Sequence, residues 1–507
     1  MLKILVLVSE LNIEFNKNLS DYLRDTLCYD EFKLFYKEAL DGDNSEFDVC
    51  IIDRMNLANY VVHSYVSKRT ILYFKKHFVD FSDIQKLVNL KSQYLKDKDY
   101  ISAKDINQLI GLINIYEHKK VMDAMPTDIQ IESTSYCNAE CIMCRHFYSQ
   151  NNEADNLSGS ILEKIKPVLE TTFVVSINGY GEPFLSNSLK EQMELYKRYK
   201  CKVSTNTNMS VVNDEMIEWI NDLFPQIEVS CDGASKKTFE YIRKNLNFDR
   251  FRENMKTLRE KCPDVLVRFS VVVMRQNIHE MTEIVELAKD YGVYLISFAS
   301  VGTDVILKNQ KDSMYNYPAA FYRVMNEVKQ LGEKYGIIVD TPYIEKTEYT
   351  CNLDNQQREL EEIQESLKRD CDINQNEIMK RYQRMKTLSS DKAVKDLEGI
   401  SMGFVGICDW LVQRSYIDLV GNVYPCCTNH KQKLGNLTDN TFIEIWNGER
   451  YEKIRDMFYR GLIPYTCLGC AHIIDHKLKF LNLNDTDMSE FVRLSELYKV
   501  KREAIEC

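Results

Sequence analysis

Nowhere in the chain does an apolar run approach the ~20 residues needed to cross a bilayer. The opening MLKILVLVSE carries only about six apolar residues before Ser9 and Glu10, and no small-residue cleavage site follows. It reads as a buried strand rather than an export signal, so no membrane partner is expected. There is no surplus of positive charge either. The net charge is -11, which argues against a nucleic-acid partner bound by neutralising phosphates. The first 120 residues hold no glycine-rich phosphate loop and no dinucleotide fingerprint. What is abundant is cysteine: 16 residues, which in a chain without an export signal point to metal binding in a reducing compartment. A cytoplasmic location is expected. With 507 residues, 44% hydrophobic and 28% charged, the chain has ordinary globular composition and room for about two to four domains.

Residues 1–120 alternate strand-like runs (KILVLV, Phe47 to Asp53, Thr70 to Phe74) with helical patterns such as Ala103 to Tyr116, which predicts a small α/β domain with a parallel sheet. Asp53 ends a strand, where an acidic residue is ordinarily just solvated. Cys28 and Cys50 read as core, since free cysteine is commonly buried. No role for this domain follows beyond a place for substrate or partner recognition.

The pattern becomes regular from about Asp128. Strand-like DIQIEST, FVVSING, CKVSTN, IEVSCDG, VLVRFSVVVM and YLISFAS recur at intervals of roughly 20 to 40 residues, separated by helical stretches. Six βα-like units predict an open or partial (βα)6 barrel over residues 127–305, with its active site at the carboxyl ends of the strands. The motifs fall at that end. After the first strand come Cys137, three residues, Cys141, two residues and Cys144. Three thiolates on one loop suit a metal, and iron–sulfur clusters are held by thiolates. Zinc is the alternative, although structural zinc sites close with four ligands. After the second strand, NGYGEPFL offers Gly179 and Gly181 for close backbone approach and Glu182 as a carboxylate at the mouth. STNTN, with Asn206, ends the third strand, and SCDGASKKTFEYIRKNL follows the fourth.

Residues 306–400 lose this pattern and read as solvated helices linking two domains; Cys351 and Cys371 there have no metal-like partner. Residues 401–480 regain it. CDWLVQRSYIDLVGNVYPCC predicts two strands around a Gly421 turn, bringing Cys408 near Cys426, and Cys467-x2-Cys470 follows. Two separated cysteine pairs are a four-ligand set for zinc or for a [4Fe-4S] cluster. Adjacent Cys427 turns the other way on an extended backbone. Residues 481–507 are expected to form a helical tail.

The Cys137/Cys141/Cys144 spacing resembles the signature of the radical S-adenosylmethionine (SAM) superfamily, with Met143 where an aromatic residue is usual. GYGE resembles that family's glycine-glutamate motif, with Tyr180 in place of a glycine, and STNTN its Thr-Asn-Gly turn without the glycine. The Ser230-x-Asp232-Gly233 segment and Arg243 resemble members that carry a C-terminal SPASM or Twitch extension. The region from Cys408 through Tyr424, LGN and IWNG to Cys470 resembles that extension. The resemblance implies a [4Fe-4S] cluster on three cysteines with SAM on its open iron, and reductive cleavage of SAM to a 5′-deoxyadenosyl radical that abstracts a substrate hydrogen. It implies SAM contacts at Gly179, Gly181, Glu182, Asn206, Ser230 and Arg243, with Asp232 and Gly233 shaping a turn. It also implies one auxiliary [4Fe-4S] cluster on Cys408, Cys426, Cys467 and Cys470, a reduced flavodoxin- or ferredoxin-like electron donor, and a peptide side chain or sugar-like metabolite as substrate. A radical SAM methyltransferase or epimerase is the alternative within the family. A non-catalytic iron–sulfur or zinc module is the alternative outside it, opposed by the Glu182, Ser230 and Arg243 set. Cys231, next to Ser230, reads as core.

Overall fold

Five strands open the chain: β1 (Leu2–Leu7), β2 (Phe32–Tyr36), β3 (Val49–Asp53), β4 (Arg69–Phe74) and β5 (His77–Asp80). They pair in the order β2-β1-β3-β4-β5, all parallel except β4 with β5. Consecutive residues Ile4, Leu5 and Val6, and again Val49, Cys50 and Ile51, are buried, as expected for parallel strands covered on both faces. The structure, a computed structural model, describes residues 2–7, 13–26, 32–36, 49–53, 69–74, 77–80, 103–116, 118–144, 156–301, 310–342, 344–370, 399–401, 407–427, 432–464 and 467. Cys28, Cys371, Cys470 and the expected C-terminal tail lie outside them.

The helix Ala103–Tyr116 joins this first sheet to the second, larger unit. Its Lys104 ammonium donates to the carbonyls of Thr172 and Tyr199, just past the C-termini of the helices Gly159–Leu169 and Leu189–Arg198. A cation is favoured where helix carbonyls end unpaired.

The second unit is a curved parallel sheet. Its strands are β6 (Asp128–Ile131), β8 (Val174–Ser176), β9 (Lys202–Ser204), β10 (Asn206–Thr207), β11 (Gln226–Ser230), β13 (Leu266–Val273) and β14 (Leu295–Ser300), with the short β7 (Glu140–Cys141) and β12 (Arg243–Lys244) set apart from it. Pairing runs β6-β8-β9 and then β10-β11-β13-β14, all parallel. β9 and β10 are one strand bent at Thr205, whose carbonyl still accepts the Glu228 N–H at 3.0 Å. Six strands followed by helices therefore form the partial barrel that the sequence pattern predicts. Ser158, Asn213, Ser235 and Asn247 cap four of those helices by accepting a backbone N–H from the first turn.

Along each barrel strand one face is buried against helices: Ile129, Val175, Val203, Val229, Phe269 and Ile296 all belong to one apolar core. The alternate face is polar and half-exposed, with Gln130, Ser176, Ser204, Glu228, Arg268 and Ser297 upon it. Neighbouring strands are stitched across this concave face. Ser176 and Ser204 share a hydrogen bond of 2.6 Å, Asn206 donates to Glu228 at 2.9 Å, and Arg268 pairs with Glu228 at 3.0 Å. A concave polar face is a lined cavity wall rather than the packed interior of a closed barrel.

Both edges of this sheet are extended by segments that sequence periodicity left outside it. On one side β15 (Ile338–Asp340), within the stretch expected to link domains, pairs parallel with β14. That stretch otherwise holds the helices Pro318–Tyr335 and Leu353–Asp370; between it and the cysteine-rich region lies β16 (Gly399–Ser401). On the other side β17 (Arg414–Ile417) pairs parallel with β6, register Ile417 to Ile131. It turns through Gly421, at φ 80°, into the antiparallel β18 (Asn422–Tyr424), which pairs with β19 (Gly435–Asn436). The chain continues through the helices Phe442–Trp446 and Glu449–Tyr459 into β20 (Leu462–Pro464), which pairs with β16.

Arg455 secures this C-terminal unit. It is fully buried, stacks 4.3 Å from the Trp446 ring, and donates to the carbonyls of Leu411, Lys120 and Trp446 at 2.8–2.9 Å. Trp446 donates its indole N–H to the Ala124 carbonyl, and the Asn447 amide brackets the Met122 backbone. The chain leading into β6 is thus held by residues more than 300 positions later. Among the described residues, no helix is long and apolar enough to cross a membrane.

Candidate metal centre

The loop from Cys137 to Cys144 leaves the carboxyl end of β6 and is pinned by the segments that succeed the second, third and fourth barrel strands. From the second, the Glu182 N–H donates to the Tyr136 carbonyl at 2.8 Å. From the third, Asn208 donates to Asn138 at 2.9 Å and lies 4.0 Å from the Cys137 sulfur, while Asn138 donates to Ser210 at 2.9 Å. From the fourth, β12 pairs antiparallel with β7, placing Arg243 opposite Cys141, and the Ile142 N–H donates to the Ile242 carbonyl. Three elements thus fix a loop that has little regular structure of its own.

The thiols of Cys137, Cys141 and Cys144 act on one another electrostatically. Burial pushes the Cys137 thiol up to about 11 and the Cys141 thiol up to about 12, with the Arg243 charge pulling both back. Without a metal these groups hold their protons, so metal loading must displace them. Among the described residues no three His, Cys, Asp or Glu side chains converge on a point fit for one ion. A four-iron cluster asks for less convergence, because each thiolate binds a different iron. Three sulfur donors on a pinned loop, Cys141 buried and Cys137 and Cys144 half-buried, fit it. So does Arg243, whose Nε is buried with no partner among the described residues.

The glycine turn differs from its expected use. A Cβ on Gly179 would lie 2.3 Å from the Glu132 side chain, and one on Gly181 would lie 2.2 Å from the Thr134 carbonyl oxygen. These glycines bring the turn against the chain entering the cysteine loop. Glu182 does not present a carboxylate at the mouth: it is 3% exposed. Its carboxylate accepts from the Thr207 hydroxyl and the Asn208 N–H, each at 2.7 Å. Burial still lifts its carboxyl to about 6. A carboxylate desolvated this far needs such donors, and the third strand supplies them.

Asn206 stands on the concave face, bonded to Asn178 and Glu228. Ser230 ends β11 on the same face, half-buried. Arg243 is committed within the protein. Its Nη2 pairs with Asp232 at 2.7 Å, and its Nη1 donates to the Cys141 sulfur at 3.9 Å. Asp232 therefore does more than shape a turn. Cys231 beside it is fully buried, in the core.

In the C-terminal unit the thiols of Cys426 and Cys467 act on that of Cys408, which burial and Asp409 hold well above its ordinary value. Cys427 acts on Tyr416 instead. The second set of candidate ligands is thus assembled as far as Cys467.

Sequence reasoning missed four residues of this site. Asn138 sits inside the cysteine motif and Asn208 two positions beyond Asn206; neither has a periodic signature. Asp232, in its Asp-Gly context, reads from sequence as a turn former. Glu132 follows β6 on the concave face, where its carboxylate accepts the Tyr180 N–H at 2.9 Å.

Comparison with known proteins places two family models on the chain: the radical SAM superfamily over residues 131–288 and SPASM, an iron–sulfur cluster-binding domain, over residues 408–471. The chain is similar to mycofactocin maturase MftC of Mycolicibacterium smegmatis, with 26% identity over 184 residues, 36% of this chain and 46% of that protein. It is similar to the Mycobacterium tuberculosis protein of the same name, with 26% identity over 197 residues, 38% of this chain and 50% of that protein. It spans about half the length of the curated relatives it matches. Among solved structures it is similar to Streptococcus suis SuiB bound to precursor peptide SuiA, with TM-score 0.47 and 17% identity over 74% of this chain and 79% of that one. It is also similar to anSMEcpe with bound AdoMet, with TM-score 0.46 and 15% identity over 74% of this chain and 97% of that one.

Proposed function

We propose that this chain, which carries a radical SAM domain followed by a SPASM domain, is an enzyme that abstracts hydrogen from a peptide side chain and oxidises it. The observation that carries this reading is the set of three mutually interacting thiols, Cys137, Cys141 and Cys144, held on one loop at the carboxyl ends of the barrel strands. When loaded, the cluster there with SAM supplies hydrogen abstraction through a 5′-deoxyadenosyl radical, and an auxiliary cluster on Cys408, Cys426, Cys467 and Cys470 supplies an electron acceptor. The rest falls to the protein, which binds, orients and excludes competing reactions.

Glu182, buried and bonded to Thr207 and Asn208, holds the Gly179–Gly181 turn at the edge of the cysteine loop. That turn and Ser230 border the place where SAM is to be held. The polar concave face, with Asn206, Glu228 and Arg268, orients SAM or substrate inside the barrel. The relatives' shared name, maturase, favours a precursor peptide over a sugar-like metabolite. Sixteen cysteines with a metal-binding pattern suit a reducing, cytoplasmic setting, where a reduced flavodoxin- or ferredoxin-like protein would be the electron donor.

The test is anaerobic reconstitution with iron and sulfide, iron counting, and SAM cleavage under a strong reductant. Wild type is compared with a Cys137/Cys141/Cys144 triple alanine variant. About eight irons in wild type and about four in the variant, with 5′-deoxyadenosine from wild type alone, is the expected result. Intact clusters without SAM cleavage in wild type would overturn the enzyme reading in favour of a binding module.

A further inference from the structure

We propose that the buried Asp232–Arg243 pair sets the reduction potential of the cluster on Cys137, Cys141 and Cys144, through the Arg243 N–H aimed at the Cys141 sulfur. The inference rests on the iron–sulfur reading of that loop and goes beyond it, because it gives Arg243 a task toward the cluster rather than toward SAM.

Three observations carry it. The first is contact. Arg243 Nη1 lies 3.9 Å from the Cys141 sulfur within hydrogen-bonding geometry, both residues are 9% exposed or less, and the unpartnered Nε lies on the same guanidinium. Hydrogen bonds to cluster sulfurs and net charge near them are two of the terms that set a cluster's potential. The second is rigidity. The β7–β12 ladder pairs Arg243 with Cys141 backbone to backbone, so the charge and the sulfur are fixed by one piece of structure.

The third is the counter-charge. Asp232 is fully buried and pairs with Arg243 at 2.7 Å. Its other oxygen accepts the Val272 N–H at 2.7 Å, and its backbone carbonyl accepts from the Asn277 amide at 3.0 Å. The carboxylate is therefore anchored on β13 while the guanidinium reaches from it toward the thiol. The result is an oriented pair with its positive end toward the sulfur and its negative end behind. Reduction adds negative charge to the cluster, so the near positive charge favours the reduced state and the carboxylate tempers that effect. In a dry site neither is screened as it would be in water.

The two residues should then move the potential in opposite directions, which a merely structural role would not do. The experiment is an anaerobic redox titration of the reconstituted full-length chain, followed by electron paramagnetic resonance. The triple alanine variant identifies the auxiliary signal, and iron content is measured on every sample. Arg243→Gln should lower the potential by at least about ten-fold in the one-electron equilibrium, about 59 mV. Asp232→Asn should raise it, and Arg243→Lys should fall between wild type and Arg243→Gln. Wild-type iron with a wild-type potential in Arg243→Gln and Asp232→Asn overturns the inference and leaves the pair structural. Should Arg243→Gln fail to retain iron, Asp232→Asn decides alone: an upward shift supports the inference, and an unchanged or lowered potential overturns it. Failure of the underlying reading looks different, since wild type and the triple alanine variant would then hold equal iron.

Discussion

Glu132 offers the sharpest test of how the two halves of the site meet. It follows β6, is 6% exposed, and its carboxylate is held by the N–H of Tyr180 from the glycine turn and the N–H of Leu419 from the C-terminal hairpin. Burial, with Asp418 adding to it, lifts its carboxyl from an ordinary 4.5 to about 7. The charged groups facing it are Asp418 on the hairpin and, once ionised, Tyr416 and Tyr424. The folded chain keeps this proton up to about pH 7, whereas the unfolded chain releases it near 4.5. Between those values the folded state binds more protons, so stability falls as pH rises and reaches its floor above about 7. At 1.36 kcal/mol per ten-fold, the full effect is about 3 kcal/mol, of which roughly 2.5 falls between about pH 5 and about pH 8. Glu132→Gln keeps the acceptor for the Tyr180 N–H and removes the titration. Urea unfolding of both proteins near pH 5 and near pH 8 is the assay. Relative to wild type, the variant should gain roughly 2.5 kcal/mol on going from the lower to the higher pH. An equal difference at the two values would refute the reasoning, because the carboxyl would then titrate alike in the folded and unfolded chains.

The remaining predictions are structural. Gly181→Ala sets a methyl group 2.2 Å from a backbone oxygen, whereas Gly179→Ala meets a side chain that can move. Melting temperature and iron retention should therefore fall further in Gly181→Ala, with overpacking of about 1–3 kcal/mol as the guide; a reversed order would contradict the packing argument. Arg455→Ala leaves three carbonyls without their donor and removes the stack on Trp446, a loss of about 4 kcal/mol or more that limited proteolysis should report as early opening of the C-terminal unit.

The strands of the barrel were legible because their apolar residues alternate so cleanly. FVVSING, IEVSCDG and VLVRFSVVVM fall on β8, β11 and β13, and the helix expected over Ala103 to Tyr116 has those bounds. β2 and β5 were missed, being short and flanked by charged residues, and β15 was missed because three residues, Ile-Val-Asp, carry no period. The site was legible where chemistry is tied to residue type: cysteine spacing marks a thiolate loop whatever the fold. It was illegible where the same residue types serve a neighbour rather than a ligand. Glu182 and Gly181 stand in the expected motif, yet the carboxylate turns inward to Thr207, and the glycine admits the Thr134 carbonyl. Composition and spacing carry no sign of which way a side chain faces once the backbone bends.

The pairing of β17 with β6 changes how the two family segments relate. They are separated in sequence by more than a hundred residues, and periodicity alone sets them apart as domains. In the structure the Glu132 N–H donates to the Ile417 carbonyl, and both the Thr127 and Asp128 N–H groups donate to Gln413. The strand that launches the cysteine loop thus has the SPASM hairpin as its neighbour in the sheet. Without that hairpin β6 would be an edge strand with unpaired donors, and the Glu132 carboxylate would lose the Leu419 N–H. The same hairpin leads on to Cys426, so four residue pairs of parallel sheet lie between the two candidate metal sets. The strand that leads into the Cys137–Cys144 loop and the hairpin that leads to Cys426 are therefore joined by backbone hydrogen bonds within one sheet rather than by a linker alone.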